Sequence, residues 1–139
     1  MRVSAKVDYA LRALLELASA EPGRPVTAER LATAQAIPPK FLENILLELR
    51  RAEIVASQRG VEGGYRLARP ASEISVADVV RSLEGPIASV RGVRPEEVAY
   101  TGPAQSLQPL WVELRASMRE VLEGTTLADL VERSASARG

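Results

Sequence analysis

Lys40, Glu43 and Asn44 follow one another at helical spacing, and between them they carry the groups that read a base pair. A lysine ammonium meets a phosphate or the acceptors of guanine. An asparagine amide pairs at two points with adenine N6 and N7, and a glutamate accepts from cytosine N4. One good two-point contact discriminates by about 1–3 kcal/mol. A solvated helix face would carry the same three residues, so the choice turns on the glycine-rich stretch further along the chain. Arg59-Gly60-Val61-Glu62-Gly63-Gly64 sets an arginine at the start of a turn whose glycines remove side-chain bulk. A phosphate backbone can approach such a turn, and the arginine can reach into a narrow, electronegative minor groove. Taken alone, that stretch fits an ordinary turn with an incidental arginine equally well.

Other chemistries lack their residues. The chain has no cysteine and no histidine. Disulfides, thiolate metal sites, cysteine nucleophiles, imidazole bases and imidazole zinc ligands are therefore excluded. There is no GxxxxGK[ST] phosphate loop, and Glu96-Glu97 reads as a solvated turn rather than a catalytic pair. Little is left for a small enzyme, and neither cofactor nor metal is expected.

The elements that would hold these residues can be read from apolar spacing. Val7, Ala10, Leu11, Leu14, Leu15 and Ala18 make one helix face, ended by Glu21-Pro22-Gly23. Thr27 is an N-cap for a short helix to about Gln35, with Glu29 in its first turn. Ile37-Pro38-Pro39 breaks the chain and opens a third helix to about Arg51, apolar at Leu42, Ile45, Leu46 and Leu49. Its other face holds Lys40, Glu43, Asn44, Leu47 and Arg51. Ile54–Gln58 and Tyr65–Leu67 read as two strands around the glycine turn. Ser75 and Asp78 form a capping box for a helix through Leu83, stopped by Gly85-Pro86.

Residues 86–106 show no period and read as a loop, with a helical turn near Arg94–Val98. Leu107, Leu110, Trp111, Leu114, Met118, Val121 and Leu122 then repeat at steps of three and four up to Gly124. So apolar a helix at the end of a small domain calls for a partner surface, and a second copy of the chain is the simplest one. Thr126 caps a short piece to 131; 132–139 reads as a tail, disordered from Ser134.

The expected fold is mostly α with a small β-hairpin wing. It comprises a winged helix-turn-helix over 1–85, a loop over 86–106, and a long dimerisation helix with a short helix over 107–131. With 139 residues, 46% hydrophobic but only 4% aromatic, the core must be built of Leu, Val, Ile and Ala. Net charge is zero, but residues 1–70 carry 11 Lys/Arg against 8 Asp/Glu, while 71–139 carry 7 against 10. That split favours an N-terminal half facing DNA. Asp8, Arg12 and Glu16 interrupt the first apolar stretch, which excludes a signal peptide there. No run approaches the ~20 apolar residues of a membrane span, so a cytoplasmic protein without membrane contact is expected.

In order and at these spacings, several motifs resemble one bacterial family. They are Ser4-x-Lys6-x-x-Tyr9-Ala10, Ile37-Pro38-x-x-Phe41-Leu42-x-x-Ile45, Arg59-Gly60-x-x-Gly63-Gly64-Tyr65-x-Leu67-Ala68-Arg69, and Ile74-Ser75-Val76-x-Asp78-Val79-Val80 before Glu84-Gly85. The chain resembles the BadM/IscR-type winged-helix transcriptional regulators, also called the Rrf-two family, closely to about residue 85 and more loosely to about 131. The resemblance implies a homodimeric DNA-binding regulator, usually a repressor, on a roughly palindromic double-stranded operator. Carried over by position, it implies base-reading or groove-facing roles for Lys40, Glu43 and Asn44, with Phe41 and Arg51 of the same helix in the DNA-binding set. Arg59, Gly60, Gly63 and Gly64, with Ser57 beside them, would serve the minor groove, and Lys6 and Tyr9 would lie near phosphate. The helix from Leu107 would pair the two copies.

Iron–sulfur members of that family carry three cysteines in the segment matching 86–106; this chain has none, which places it with the cluster-free branch. Arg91, Arg94, Tyr100 and Trp111 are the polar and aromatic groups of that region that a small-molecule or protein effector would meet. The alternative reading is a winged-helix interaction module that binds protein and does not read DNA; Lys40, Asn44 and Arg59 speak against it.

Overall fold

The computed structural model describes residues 2–138. Helix α1 (Ala5–Ser19) opens at Ser4, whose hydroxyl accepts from the Val7 N–H, and buries Val7, Ala10, Ala13, Leu14 and Leu17. Helix α2 (Ala28–Gln35) opens at Thr27, whose hydroxyl accepts from the Arg30 N–H at 3.2 Å. The turn to α3 (Pro39–Arg51) is tight. Ala36 adopts a left-handed conformation, φ 51°, and the next residue, Ile37, drops into the core and donates its N–H back to the Ala32 carbonyl at 2.9 Å. That closes the end of α2 in the way a glycine usually does, and Pro38 and Pro39 start α3 where a proline costs no hydrogen bond.

β1 (Val55–Gln58) and β2 (Gly64–Leu67) pair antiparallel, Val55 opposite Leu67 and Gln58 opposite Gly64. The hairpin is anchored to the head by a bridge in which Val26 and Tyr65 exchange backbone hydrogen bonds at 2.8 and 2.7 Å. Helix α4 (Val76–Glu84) has the expected capping box, with Ser75 and Asp78 bonded reciprocally at 3.0 Å. Short 3-10 turns at Pro95–Glu97 and Gly102–Ser106 interrupt the connection to α5 (Leu107–Glu123).

The last helix, α6 (Leu127–Arg138), departs from expectation twice. It continues through 132–138, where a tail disordered from Ser134 was expected; Gly139, the tail's last residue, lies outside the described residues. Alanine and arginine are good helix formers and no breaker precedes Gly139, so the helix outlasts its apolar period. It also belongs to the head. Leu127 is fully buried in the same core as Leu14, Leu46 and Ile74, α6 packs on α1, and the Leu127 N–H donates to the Ile74 carbonyl at 2.9 Å. A second capping box, Thr126 with Asp129 at 2.9 and 3.0 Å, fixes where α6 begins.

One core serves α1–α4, the hairpin and α6. α5 stands apart from it: none of its 17 residues is fully buried.

Candidate nucleic-acid interface

α3 divides cleanly between core and solvent. Leu42, Ile45, Leu46 and Leu49 are buried, whereas Lys40, Glu43, Asn44 and Arg51 are exposed and Leu47 is half-buried. Together these five recur at i, i+3, i+4, i+7 and i+11, one stripe of a helix. Its first turn leads, as required of a helix that offers its N-terminal end to base edges. The stripe has two flanks. Asn44 borders a groove shared with Lys6, Phe41, Glu48 and Arg51, while Glu43 borders a hollow shared with Glu29 and Thr33 of α2.

The angle of α3 is braced from α1. The Tyr9 and Phe41 rings meet edge to face, centroids 5.5 Å apart and planes at 79°. The Arg12 guanidinium lies 4.7 Å from the Tyr9 ring centre, pairs with Asp8, and donates to the Gln35 carbonyl at 2.9 Å. That carbonyl is one of the orphan acceptors at the end of α2. Gln35 in turn donates from Nε2 to Glu16 at 2.6 Å. A continuous stack thus runs from the first turn of α3, across α1, to the last turn of α2, and it fixes the crossing of the two helix-turn-helix arms.

Tyr9 is half-buried inside this stack, so its part is positioning. Phe41 remains 42% exposed, open to a partner on its outer edge. Lys6 is not a free cation: Nζ lies 2.8 Å from Glu48 of α3. Meeting a phosphate would mean sharing or leaving that carboxylate. Sequence reasoning missed Arg12, which showed only as a charge interrupting an apolar stretch. The usable signal was an arginine three residues after a tyrosine, on the same helix face.

In the wing, Ser57 and Arg59 are exposed, and Ser57 accepts from Arg50 Nη1 at 3.3 Å, tying β1 to the last turn of α3. The three glycines are not equivalent. A Cβ on Gly63 would lie 2.4 Å from the Gln58 carbonyl oxygen, and one on Gly64 would lie 2.6 Å from the Val26 backbone. Both are therefore required by the fold itself, whether or not DNA approaches. Gly60 has open space around it and φ 111°, so only the turn demands it there. Val61 stands fully exposed at the tip, between Gly60 and Glu62, a position that strand-and-turn reasoning did not single out.

The apolar stripe expected for dimerisation splits in two. Leu107, Leu110, Leu114 and Val121 face solvent, at 36, 50, 41 and 65% exposure. Trp111, Met118 and Leu122 are half-buried, turned toward their own chain. The four outward residues keep heptad register, with 107, 114 and 121 seven apart and 110 between them.

The suspected effector residues also separate. Trp111 Nε1 donates to the Tyr100 hydroxyl at 3.0 Å, and Arg91 sits 6.0 Å from the Tyr100 ring centre. Those three groups strap the loop onto α5. Arg94 lies elsewhere, on the wall of a cavity between α4, residues 86–94 and α5.

No helix among the described residues is long and apolar enough to cross a membrane. Among known families, Rrf2, described as an iron-dependent transcriptional regulator, matches residues 3–133. The HTH-type transcriptional regulator Rv1287 of Mycobacterium tuberculosis is 55% identical over 130 residues, 94% of this chain and 81% of that protein. The solved structure of CymR, the global cysteine regulator of B. subtilis, is 33% identical, covers 96% of this chain and 98% of that one, and has a TM-score of 0.83. That of T. potens IscR is 31% identical, covers 100% and 92%, and also has a TM-score of 0.83.

Iron finds no suitable donors here. The sequence has neither thiol nor imidazole, and no group of carboxylates among the described residues is arranged to hold a metal. An iron–sulfur cluster held by cysteine thiolates does not fit this chain.

Proposed function

The chain belongs to the Rrf2 family of transcriptional regulators, and we propose that two copies of it grip one palindromic stretch of double-stranded DNA as a cytoplasmic repressor that uses no iron–sulfur cluster. α3 enters the major groove, where Lys40, Glu43 and Asn44 read base edges and Arg51 meets phosphate. The wing reaches the adjacent minor groove through Arg59. Tyr9 and Arg12 hold α3 at its angle, and the outward stripe of α5 pairs the copies.

One observation carries this reading. Lys40, Glu43, Asn44 and Arg51 are exposed on one face of α3, while its opposite face is wholly consumed by the core. The dimer rests on α5. Four large apolar side chains left in water on one helix would each gain roughly 1 kcal/mol on half-burial, and a two-fold partner covers them all at once. Two reading helices then fall about one DNA turn apart, ~34–36 Å.

Arg59→Ala tests the assignment, because Arg59 is exposed and its loss leaves the core untouched. In a gel-shift titration at moderate salt, on a site selected from random DNA, the variant should bind more weakly while staying folded and dimeric. Unchanged affinity contradicts the placement of the wing.

A further inference from the structure

A cavity of about 420 Å³ opens between the end of α4, residues 86–94 and the C-terminal half of α5. That volume lies in the range of small-molecule sites. Its walls carry four guanidinium groups, those of Arg81, Arg94, Arg115 and Arg119, and one carboxylate, that of Glu123. Glu123 is held by both Arg81 and Arg119, the latter through Nε at 3.2 Å. Arg115 makes a two-point pair with Glu96 at 2.6 and 2.8 Å. Arg94 makes no ion pair and no side-chain hydrogen bond among the described residues.

Four cations against two carboxylates leave two positive charges uncompensated at one hollow. Hydrogen bonds from Arg81, and then from Arg119, hold the Glu123 carboxyl below its ordinary range, the sign expected of a positive local potential. Glu123 also shows that an oxyanion can sit between α4 and α5 and be bonded from both sides.

We propose that this cavity is a binding site for a compact multivalent anion, one whose carboxylate or phosphate oxygens bridge Arg94 and Arg81 on one wall to Arg115 and Arg119 on the other. Guanidinium forks match both oxyanions in the same planar, two-point manner. The buried Ile87 side of the hollow would take the ligand's carbon skeleton.

The position gives such a ligand leverage. α4 packs on α1 and α3, and α5 carries the outward apolar stripe. An anion bridging the two helices would set the reading head relative to the pairing helix, and would bias operator affinity by its preference for one spacing of the heads. This second step rests on the proposed function; occupancy of the cavity does not.

Calorimetric titration of the full chain without DNA, with citrate and with pyrophosphate at fixed ionic strength, tests the site. Saturable binding of at least one probe is expected, and which of the two binds tells carboxylate from phosphate. Arg94→Gln should weaken it at least tenfold. Arg91→Gln, on the same loop but stacked against Tyr100, should leave it unchanged. Failure of both probes to saturate, or equal binding by the Arg94 variant, overturns the site. Operator titrations with and without the probe then test the coupling: a shift in affinity that disappears in Arg94→Gln supports it, and binding of the probe without any shift overturns it. Loss of DNA binding altogether would contradict the proposed function and leave the anion titration standing.

Discussion

α3 and α5 both place an apolar residue every three or four positions, yet the fold treats them differently. Leu42, Ile45, Leu46 and Leu49 of α3 are buried against α1, α4 and the hairpin, and what remains outside is mostly polar, Phe41 and half-buried Leu47 apart. α5 has only its inner edge covered, and it leaves Leu107, Leu110, Leu114 and Val121 in water. An amphipathic helix whose apolar face is consumed within its own chain is free to use its polar face on a ligand. One whose apolar face is left over is incomplete, and its completion has to come from another molecule. Under the proposed function, the two helices divide reading from pairing.

The sharpest way to break this contrast is to charge the leftover face. Leu110→Glu combined with Leu114→Glu should turn the proposed dimer into a folded monomer and lower operator affinity by about 10²–10⁴-fold, the avidity lost when two heads no longer bind as one unit. Sedimentation and a DNA titration measure both; a double variant that still sediments as a dimer would mean that the copies pair elsewhere.

Next in size is the buried face of α3. Leu42→Ala should cost about 2–5 kcal/mol in denaturant unfolding, transfer and cavity terms together. A loss under about 1 kcal/mol would show that α3 is not seated as described. On the polar face of the same helix, Asn44→Ala should leave stability within about 0.5 kcal/mol. It should remove about 1–3 kcal/mol of discrimination at one base position, seen as affinity for the selected site falling toward that for random DNA. Unaltered discrimination would take Asn44 out of the reading set.

The smallest effect belongs to the inner edge of α5. The Arg81 hydrogen bond, and then that of Arg119, holds the Glu123 carboxyl below its ordinary value of 4.5. A depressed carboxyl stabilises the fold above that value, and the contribution is lost as pH falls through the folded-state pKa. Glu123→Gln should therefore lower Tm slightly near pH 7, and the difference from wild type should shrink at a pH well below 4.5, where the carboxyl protonates. An equal difference at both pH values would mean that the carboxylate charge is not what matters. The pair is exposed, so the change is small at any pH.

Much of the reading head was legible because its signals are local. Thr27, Ser75 and Thr126 announce helix starts by side-chain chemistry alone, and the glycines around residue 60 announce the hairpin. What escaped depended on which surface meets which. Nothing in the spacing of Leu127 says that it enters the core beside Leu14. The alternation within Leu107–Leu122 does not say which of two neighbouring apolar residues turns inward, since both edges of a wide stripe look alike until α4 and the 3-10 turns cover one of them. Residues 86–106 lack a period, so Arg91 and Arg94 read as equivalent; a tight turn at Val90–Val93 sends one to Tyr100 and the other to the cavity wall. The stack of Phe41, Tyr9 and Arg12 spans two helices and ends on a third, and no window along the chain contains it.

Selection of bound fragments from a random DNA pool by the wild-type protein tests the division of labour most directly. Two heads set by α5 and read by α3 predict one enriched motif with two-fold symmetry, its half-sites centred about 10 base pairs apart. No enrichment over the starting pool, or a single motif without symmetry, would contradict it.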